Sequence, residues 1–91
     1  MTANMHTSHP GIIKRLKRAD GHLKSVIAML EQGRSCLDIA QQLQAVESAV
    51  GHAKMHLVHD HIDHCLEQAI QGGPQSTEDA IRTFKAITKY L

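Results

Sequence analysis

The chain has 91 residues, a formal net charge of +1, two cysteines and eight histidines. A chain this short buries a small share of its surface and needs extra stabilisation from disulfides, a metal or a partner subunit. Two cysteines exclude a disulfide framework, and a net charge near zero means that any attraction to nucleic acid must come from how the charges are distributed.

The composition predicts an all-α protein. Phe84 and Tyr90 are the only aromatic residues, so aliphatic side chains that suit helix packing must form the core. No apolar stretch approaches the roughly 20 residues that span a bilayer, and the N-terminus lacks the apolar segment of a secretory signal. We therefore expect a cytoplasmic protein with reduced thiols and no membrane partner.

The first eleven residues mix Thr, Asn, Ser, His, Pro and Gly without periodicity, which is typical of a flexible segment. We expect residues 1–11 to form an N-terminal arm that carries His6 and His9. Residues 12–91 are expected to form a single three-helix domain.

A first helix is predicted from Ile12 until Gly33 stops it. Its apolar stripe consists of Ile12, Leu16, Ala19, Leu23, Val26, Ile27 and Leu30. The opposite side carries Lys14, Lys17, Arg18 and Lys24, flanked by Arg15. This helix is expected to be apolar on its inner face and basic on its outer face.

A long second helix is predicted from Ser35, which with Asp38 resembles a helix N-cap, to about Ile70. The residues expected to pack against the first helix and against a second copy are Leu37, Ala40, Leu43, Val46, Val50, Leu57, Ile62 and Leu66. Gly72, Gly73 and Pro74 end this helix, and Ser76 with Asp79 starts a shorter third one.

A pair of metal-binding side chains lies on the second helix. His61 and Cys65 are four residues apart, so they project from one face and can bind the same ion. Neighbouring His56, His59 and His64 are interpreted as solvated imidazoles. A thiolate paired with histidine is found in sites for Cu(I), Zn(II), Ni(II) and Co(II).

The other cysteine, Cys36, opens the second helix, where the helix dipole favours the thiolate. The ordinary alternative is a small buried residue. Because 25 residues separate Cys36 from His61, roughly 37 Å on a straight helix at about 1.5 Å per residue, the two cannot share a metal within one chain. Antiparallel packing of two second helices would instead place Cys36 of one beside His61 and Cys65 of the other, in two equivalent sites.

Three segments together resemble the CsoR/RcnR family of metal-sensing transcriptional repressors: RLKRADGHL (Arg15–Leu23), Cys36 at the head of the second helix, and HDHIDHCLE (His59–Glu67). The resemblance implies a four-helix-bundle homodimer built on antiparallel second helices and usually paired into a homotetramer. It also implies that the metal-free protein binds G/C-rich operator DNA and is released when metal binds.

The resemblance also bears on the metal. In copper-sensing members a Cys-His-Cys set holds Cu(I) in a trigonal site, and that set is intact here as Cys36, His61 and Cys65. Nickel- and cobalt-sensing members add a histidine from the N-terminus, for which this chain offers His6 and His9.

Two departures from the copper-sensing pattern, together with the histidines of the arm, favour Ni(II) or Co(II), with Cu(I) as the alternative. Ser35 stands where copper sensors have a tyrosine, and Glu78 and Asp79 stand near the place of their third-helix glutamate. Asn4 occupies the spacing expected for the extra histidine of nickel sensors, so His6 or His9 would have to replace it.

The basic face of the first helix predicts contact with DNA through Lys14, Arg15, Lys17 and Arg18. Such a face is usually only solvated, but a tetramer multiplies it four-fold, and affinity for phosphate grows with the number of contacts. No helix-turn-helix is visible, so a broad surface would read backbone and shape. His52 lies where members of the family often have a basic residue.

We predict a metal-responsive repressor that leaves its operator on binding Ni(II) or Co(II), or alternatively Cu(I), and so derepresses metal-efflux genes. A metal storage or delivery protein would use the same histidines without DNA. We predict no enzymatic activity, because the chain offers a Cys-His pair but no strand for an oxyanion hole and no glycine-rich active-site loop.

Overall fold

The computed structural model describes residues 8–72 and 74–91, with side chains omitted at 74–76. Helix α1 spans His9–Glu31, α2 spans Cys36–Gln71 and α3 spans Pro74–Ile87, and a short 3₁₀ helix follows at Thr88–Tyr90. The described residues contain no strand, which confirms the all-α prediction. No described helix is long and apolar enough to cross a membrane.

Two helices begin earlier than the sequence predicts. Helix α1 starts at His9 instead of Ile12, and α3 starts at Pro74 instead of Ser76. Both early starts place a proline, Pro10 or Pro74, in the first turn. Proline suits that position because its fixed φ is already helical, and because N–H groups in the first turn have no acceptor within the helix, so the missing N–H of proline costs no hydrogen bond.

The junction between α1 and α2 is held by local hydrogen bonds. Gly33 has φ 70°, and the N–H groups of Gly33 and Arg34 donate to the carbonyls of Leu30 and Met29 at 3.1 and 3.0 Å, which is the Schellman arrangement. The Asp38 N–H then donates to the Ser35 Oγ at 3.1 Å. The predicted N-cap is therefore confirmed.

The chain divides into two compact units, and the first is His9–Lys54. Its buried residues recur every seven positions, as in helices that pack side by side; they are Ile12, Ala19 and Val26 on α1 and Ile39, Val46 and Ala53 on α2. Val26, Ile39 and Val46 pack together with Met29 beside them. Burial of a side chain such as Val26, which is 1% exposed, contributes about 1.5–3 kcal/mol.

The second unit includes Met55–Leu91. Val58 and Cys65 of α2 and Ala80 of α3 are its buried residues within the described part of the chain. The hydroxyl of Thr77 donates to the carbonyl of Ala69 at 3.5 Å and links the first turn of α3 to α2. A cavity of about 130 Å³ lies between these helices and is lined by Cys65, Leu66, Ala69, Ala80, Ile81 and Phe84.

Much of the predicted apolar surface is not covered within the protomer. On α1 the exposed members are Leu16, Leu23, Ile27 and Leu30, and on α2 they are Leu37, Leu43, Val50, Leu57 and Leu66. Exposure reaches 59% at Leu30 and 68% at Leu37. Exposed apolar side chains in this number are typical of a protein that meets another protein chain.

We expect Phe84→Ala to make Cys65 react several-fold faster with iodoacetamide. The substitution removes the largest side chain lining the cavity and admits water and reagent to the thiol. Peptide mass spectrometry after timed alkylation of the metal-free protein measures the rate, with the exposed Cys36 as internal reference. Tyr90→Ala is the matched control, because Tyr90 is 58% exposed. An unchanged ratio of the two cysteine rates in Phe84→Ala would contradict this role of the cavity.

Candidate metal centre and nucleic-acid interface

His61 and Cys65 lie one turn apart on α2 and are both shielded from solvent. Cys65 is a free thiol that is 4% exposed. His61 is half-buried, and its Nε2 atom is buried without a hydrogen-bond partner. A buried polar atom left without a partner costs about 1–3 kcal/mol, and none of the described residues supplies a partner for this nitrogen.

The chemistry of this pair fits a thiophilic transition metal. Burial raises the pKa of the Cys65 thiol, so metal binding there has to displace a proton. Imidazole with thiolate is a donor set for Cu(I), Zn(II), Ni(II) or Co(II). Among the described residues no three His, Cys, Asp or Glu side chains form a group that can hold a metal.

The side of α3 that faces Cys65 is apolar. Ala80, Ile81 and Phe84 contribute this wall. Of the two carboxylates that the sequence offered for a copper-type third helix, Glu78 is exposed, and Asp79 accepts a hydrogen bond from Arg82 Nη1 at 3.2 Å. Neither carboxylate lines the cavity.

Cys36 is the first residue of α2, and its side chain is exposed. The alternative interpretation of Cys36 as a small buried residue is therefore wrong for the protomer. Cys36 belongs to the unit His9–Lys54, whereas His61 and Cys65 belong to the unit that includes Met55–Leu91.

Of the two histidines expected on the arm, one belongs to the first helix. His9 is the first residue of α1 and is half-buried. His6, like Asn4, lies outside the described residues.

The predicted DNA-binding side chains Lys14, Arg15, Lys17 and Arg18 are all exposed. Seven of the ten Lys and Arg residues lie between His9 and Lys54, against four of the nine Asp and Glu residues, so this stretch has a formal charge of +3 and the rest of the chain −2. The positive charge is therefore concentrated in the unit that contains α1.

Two of these arginines share a cleft with two histidines. The cleft measures about 310 Å³ and is lined by Arg15, Arg18, Ala19, His22, Ala49 and His52. The Nε2–H of His22 donates to the Oε1 of Gln42 at 2.6 Å. His22 was not singled out from the sequence, although its spacing of four residues from Arg18 and seven from Arg15 indicates the same helix face.

Residues 8–87 match the family of metal-sensitive transcriptional repressors. The chain is 38% identical over 80 residues to the copper-sensing transcriptional repressor CsoR of Bacillus subtilis, a match that covers 86% of this chain and 79% of that protein. It is 36% identical over 79 residues to the copper-sensing transcriptional repressor RicR of Mycobacterium tuberculosis, covering 86% and 82%. No solved structure matches.

The CsoR of Mycobacterium ulcerans, also named copper-sensing, is 39% identical over 81 residues, covering 84% of this chain and 69% of that protein. The expectation of a nickel- or cobalt-sensing member gains no support from these relatives. The prediction that the chain is not an enzyme is confirmed, because the family is one of repressors. The chain belongs to the metal-sensitive transcriptional repressors, the CsoR/RcnR family that its motifs resemble.

Proposed function

We propose that this chain is a Cu(I)-responsive repressor that binds operator DNA without metal and leaves it when Cu(I) binds, which derepresses metal-efflux genes. The ligands are Cys36 of one protomer with His61 and Cys65 of a second. The observation that carries the proposal is the buried pair on α2, a free thiol and an imidazole nitrogen without a partner.

The third ligand comes from a second copy of the chain. Cys36 is exposed at the start of the helix that carries His61 and Cys65 towards its other end. The uncovered leucines of α1 and α2 give two copies an apolar surface through which to associate. Two-fold symmetry would then generate two equivalent sites in a dimer, and dimers would pair into a tetramer.

The choice of Cu(I) rests on softness. Two thiolates and one imidazole are soft or borderline donors, which suit Cu(I) better than harder ions that prefer oxygen ligands. The apolar wall from α3 beside Cys65 favours a site with little water. The relatives named above are copper-sensing repressors, which agrees with this choice.

Operator contact is assigned to the basic face of α1, formed by Lys14, Arg15, Lys17 and Arg18. These side chains are exposed, and none of them makes an ion pair with another described residue. An oligomer repeats this face once per protomer, and each phosphate contact releases counterions. Many modest contacts therefore add up to tight binding.

We expect Cys36→Ala to abolish Cu(I)-induced release of DNA while leaving metal-free DNA binding nearly intact, because Cys36 is a ligand and not part of the basic face. Fluorescence anisotropy measures both properties, with a labelled duplex selected from a random pool by the metal-free wild-type protein. His56→Ala is the matched control, since His56 is an exposed residue of α2 outside the ligand set. A Cys36→Ala protein that still responds to Cu(I) would rule out this site.

A mixing experiment tests whether the site is shared between protomers. Cys36→Ala and the double variant His61→Ala/Cys65→Ala should each lack tight Cu(I) binding. After the two are unfolded and refolded together, half of the dimers are mixed and have one intact site of two, so about a quarter of the wild-type sites should return. Competition with a Cu(I) chelator counts the sites. No recovery would contradict a site shared between protomers.

We expect Lys14→Ala/Arg15→Ala to weaken duplex binding and to reduce the slope of log K against log salt by about 0.9 per lost phosphate contact. Cu(I) affinity should not change, because neither residue belongs to the proposed ligand set. Lys85→Ala/Lys89→Ala removes the same charge from the C-terminal part of the chain and serves as the control. Equal slopes in the wild type and the Lys14/Arg15 variant would exclude α1 from the interface.

The second candidate function is a Ni(II)- or Co(II)-responsive repressor of the same family. The observation that favours it is His9 at the very start of α1, with His6 three residues earlier in the sequence, because these ions require more ligands than Cys36, His61 and Cys65 supply.

Deleting residues 1–9 decides between the two metals. Cu(I) binding and release of DNA should survive the deletion, because the three soft ligands remain. A nickel or cobalt sensor would lose affinity for its metal and change its ligand-to-metal absorption bands. It would also lose the change in DNA affinity that metal binding causes, which is at least five-fold for couplings of about 1–3 kcal/mol. Loss of the Cu(I) response on deletion would contradict the copper assignment. A storage or delivery protein would bind no selected duplex under any of these conditions.

A further inference from the structure

The cleft between α1 and α2 in the unit His9–Lys54 brings two histidines, which the repressor assignment alone does not use, beside two of the arginines assigned to operator contact. Four of its six lining residues carry nitrogen donors: Arg15, Arg18 and His22 from α1, and His52 from α2. The remaining two lining residues are Ala19 and Ala49. No carboxylate of the described residues lines the cleft to neutralise these groups.

The cleft has the right chemistry for one oxyanion. Two guanidinium groups offer planar pairs of N–H donors that match phosphate oxygens. Its volume of about 310 Å³ corresponds to roughly ten water molecules at about 30 Å³ each, so a phosphate group with some remaining water fits. The side chains of Arg15, Arg18 and His52 are exposed, and the cleft is therefore open to a large partner such as DNA.

The histidines make the charge of this cleft depend on pH. An imidazole is the one side chain that ordinarily changes charge between pH 5 and 8, and it becomes a donor at both nitrogens when protonated. His22 already uses its Nε2–H on Gln42, so protonation adds a donor at Nδ1. A phosphate in the cleft favours the protonated, positively charged form of a neighbouring imidazole.

We propose that this cleft is a binding site for a phosphodiester of the DNA backbone and that His22 and His52 take up protons as the phosphate enters. The inference rests on the proposed function, since it requires that the protein binds DNA through this face. It adds two residues and a proton to that interface. Because the DNA complex then holds more protons than the free protein, DNA affinity rises as the pH falls.

The charged and titratable groups around the two histidines come from both packed helices. Among the residues that line the cleft or bond to its histidines, α1 brings Arg15, Arg18 and Ala19, and α2 brings the neutral Gln42 and Ala49. The proton uptake is therefore driven by the incoming phosphate, and none of the described residues that line the cleft is a carboxylate.

The test measures duplex affinity by anisotropy from pH 6 to pH 8 at constant ionic strength, with the selected duplex and a chelator that keeps the protein metal-free. Wild-type affinity should fall at least five-fold between pH 6 and pH 8, and each proton taken up contributes at most about a tenfold change per pH unit. His22→Gln/His52→Gln should flatten this dependence, and His56→Gln, an exposed histidine outside the cleft, should keep it.

The variant His52→Arg separates a charge effect from a structural one. A permanent positive charge in the cleft should tighten binding several-fold at pH 8, change it little at pH 6 and halve the pH dependence. A merely structural histidine would show no such gain. If His52→Arg binds no tighter at pH 8, or if the double glutamine variant keeps the wild-type pH dependence, the proton-linked site is overturned.

Two further arms identify the source of the phosphate and isolate the failure of the underlying function. The first arm titrates the protein with inorganic phosphate and follows the imidazole C2–H signals of His22 and His52 in NMR spectra. These signals should not shift at phosphate concentrations equal to those at which DNA saturates the protein. A saturating shift would assign the cleft to a free anion instead. Failure of the wild type to bind any duplex at any pH would overturn the proposed repressor together with this inference, whereas binding that does not depend on pH overturns the inference alone.

Discussion

The place of Cys36, the proposed ligand at the head of α2, depends on where that helix begins, and its beginning is set by a few local hydrogen bonds. Gly33 adopts the positive φ that ends α1, and the hydroxyl oxygen of Ser35 accepts a hydrogen bond from the N–H of Asp38. Together they make Cys36 the first helical residue. Replacing such a cap by a residue without a side-chain acceptor ordinarily costs about 0.5–2 kcal/mol, so the serine has a structural task of its own.

This role of Ser35 changes the weight of one argument about the metal. The absence of a tyrosine before Cys36 counted against a copper sensor in the sequence, and so did the lack of a clear glutamate on α3. Ser35 serves as a cap in this chain, and the wall that α3 presents to Cys65 is apolar, so Cys65, one of the proposed ligands, is shielded from water. A soft ion loses less by such shielding than an ion that needs water or oxygen ligands.

Local rules predicted much of the fold, because caps and helical periodicity involve residues a few positions apart. Spacing alone predicts the cap at Ser35, the helix stop at Gly33 and the position of His61 and Cys65 on one face of α2. The start of α3 was missed because Pro74 was interpreted only as a helix breaker, although proline also suits a first turn. The exposure of leucines such as Leu30 was not predicted either, because an apolar stripe does not show which of its side chains pack within the same protomer. His22 was missed because its role arises from a cleft that two helices form.

The near-neutral charge of the chain constrains how a repressor of this kind can work. With a formal excess of +3 in the stretch His9–Lys54, one protomer offers few phosphate contacts, and tight binding has to come from repetition of the basic face in an oligomer. When DNA affinity is the sum of many weak phosphate contacts, it depends steeply on how many of these contacts form at the same time. A metal centre that couples to this surface therefore needs to disturb only a few contacts, and a coupling free energy of about 1–3 kcal/mol is enough to change operator occupancy. The proposed ligands, drawn from two protomers, would suit this task, because metal binding would then act on the arrangement of protomers from which the DNA affinity is built.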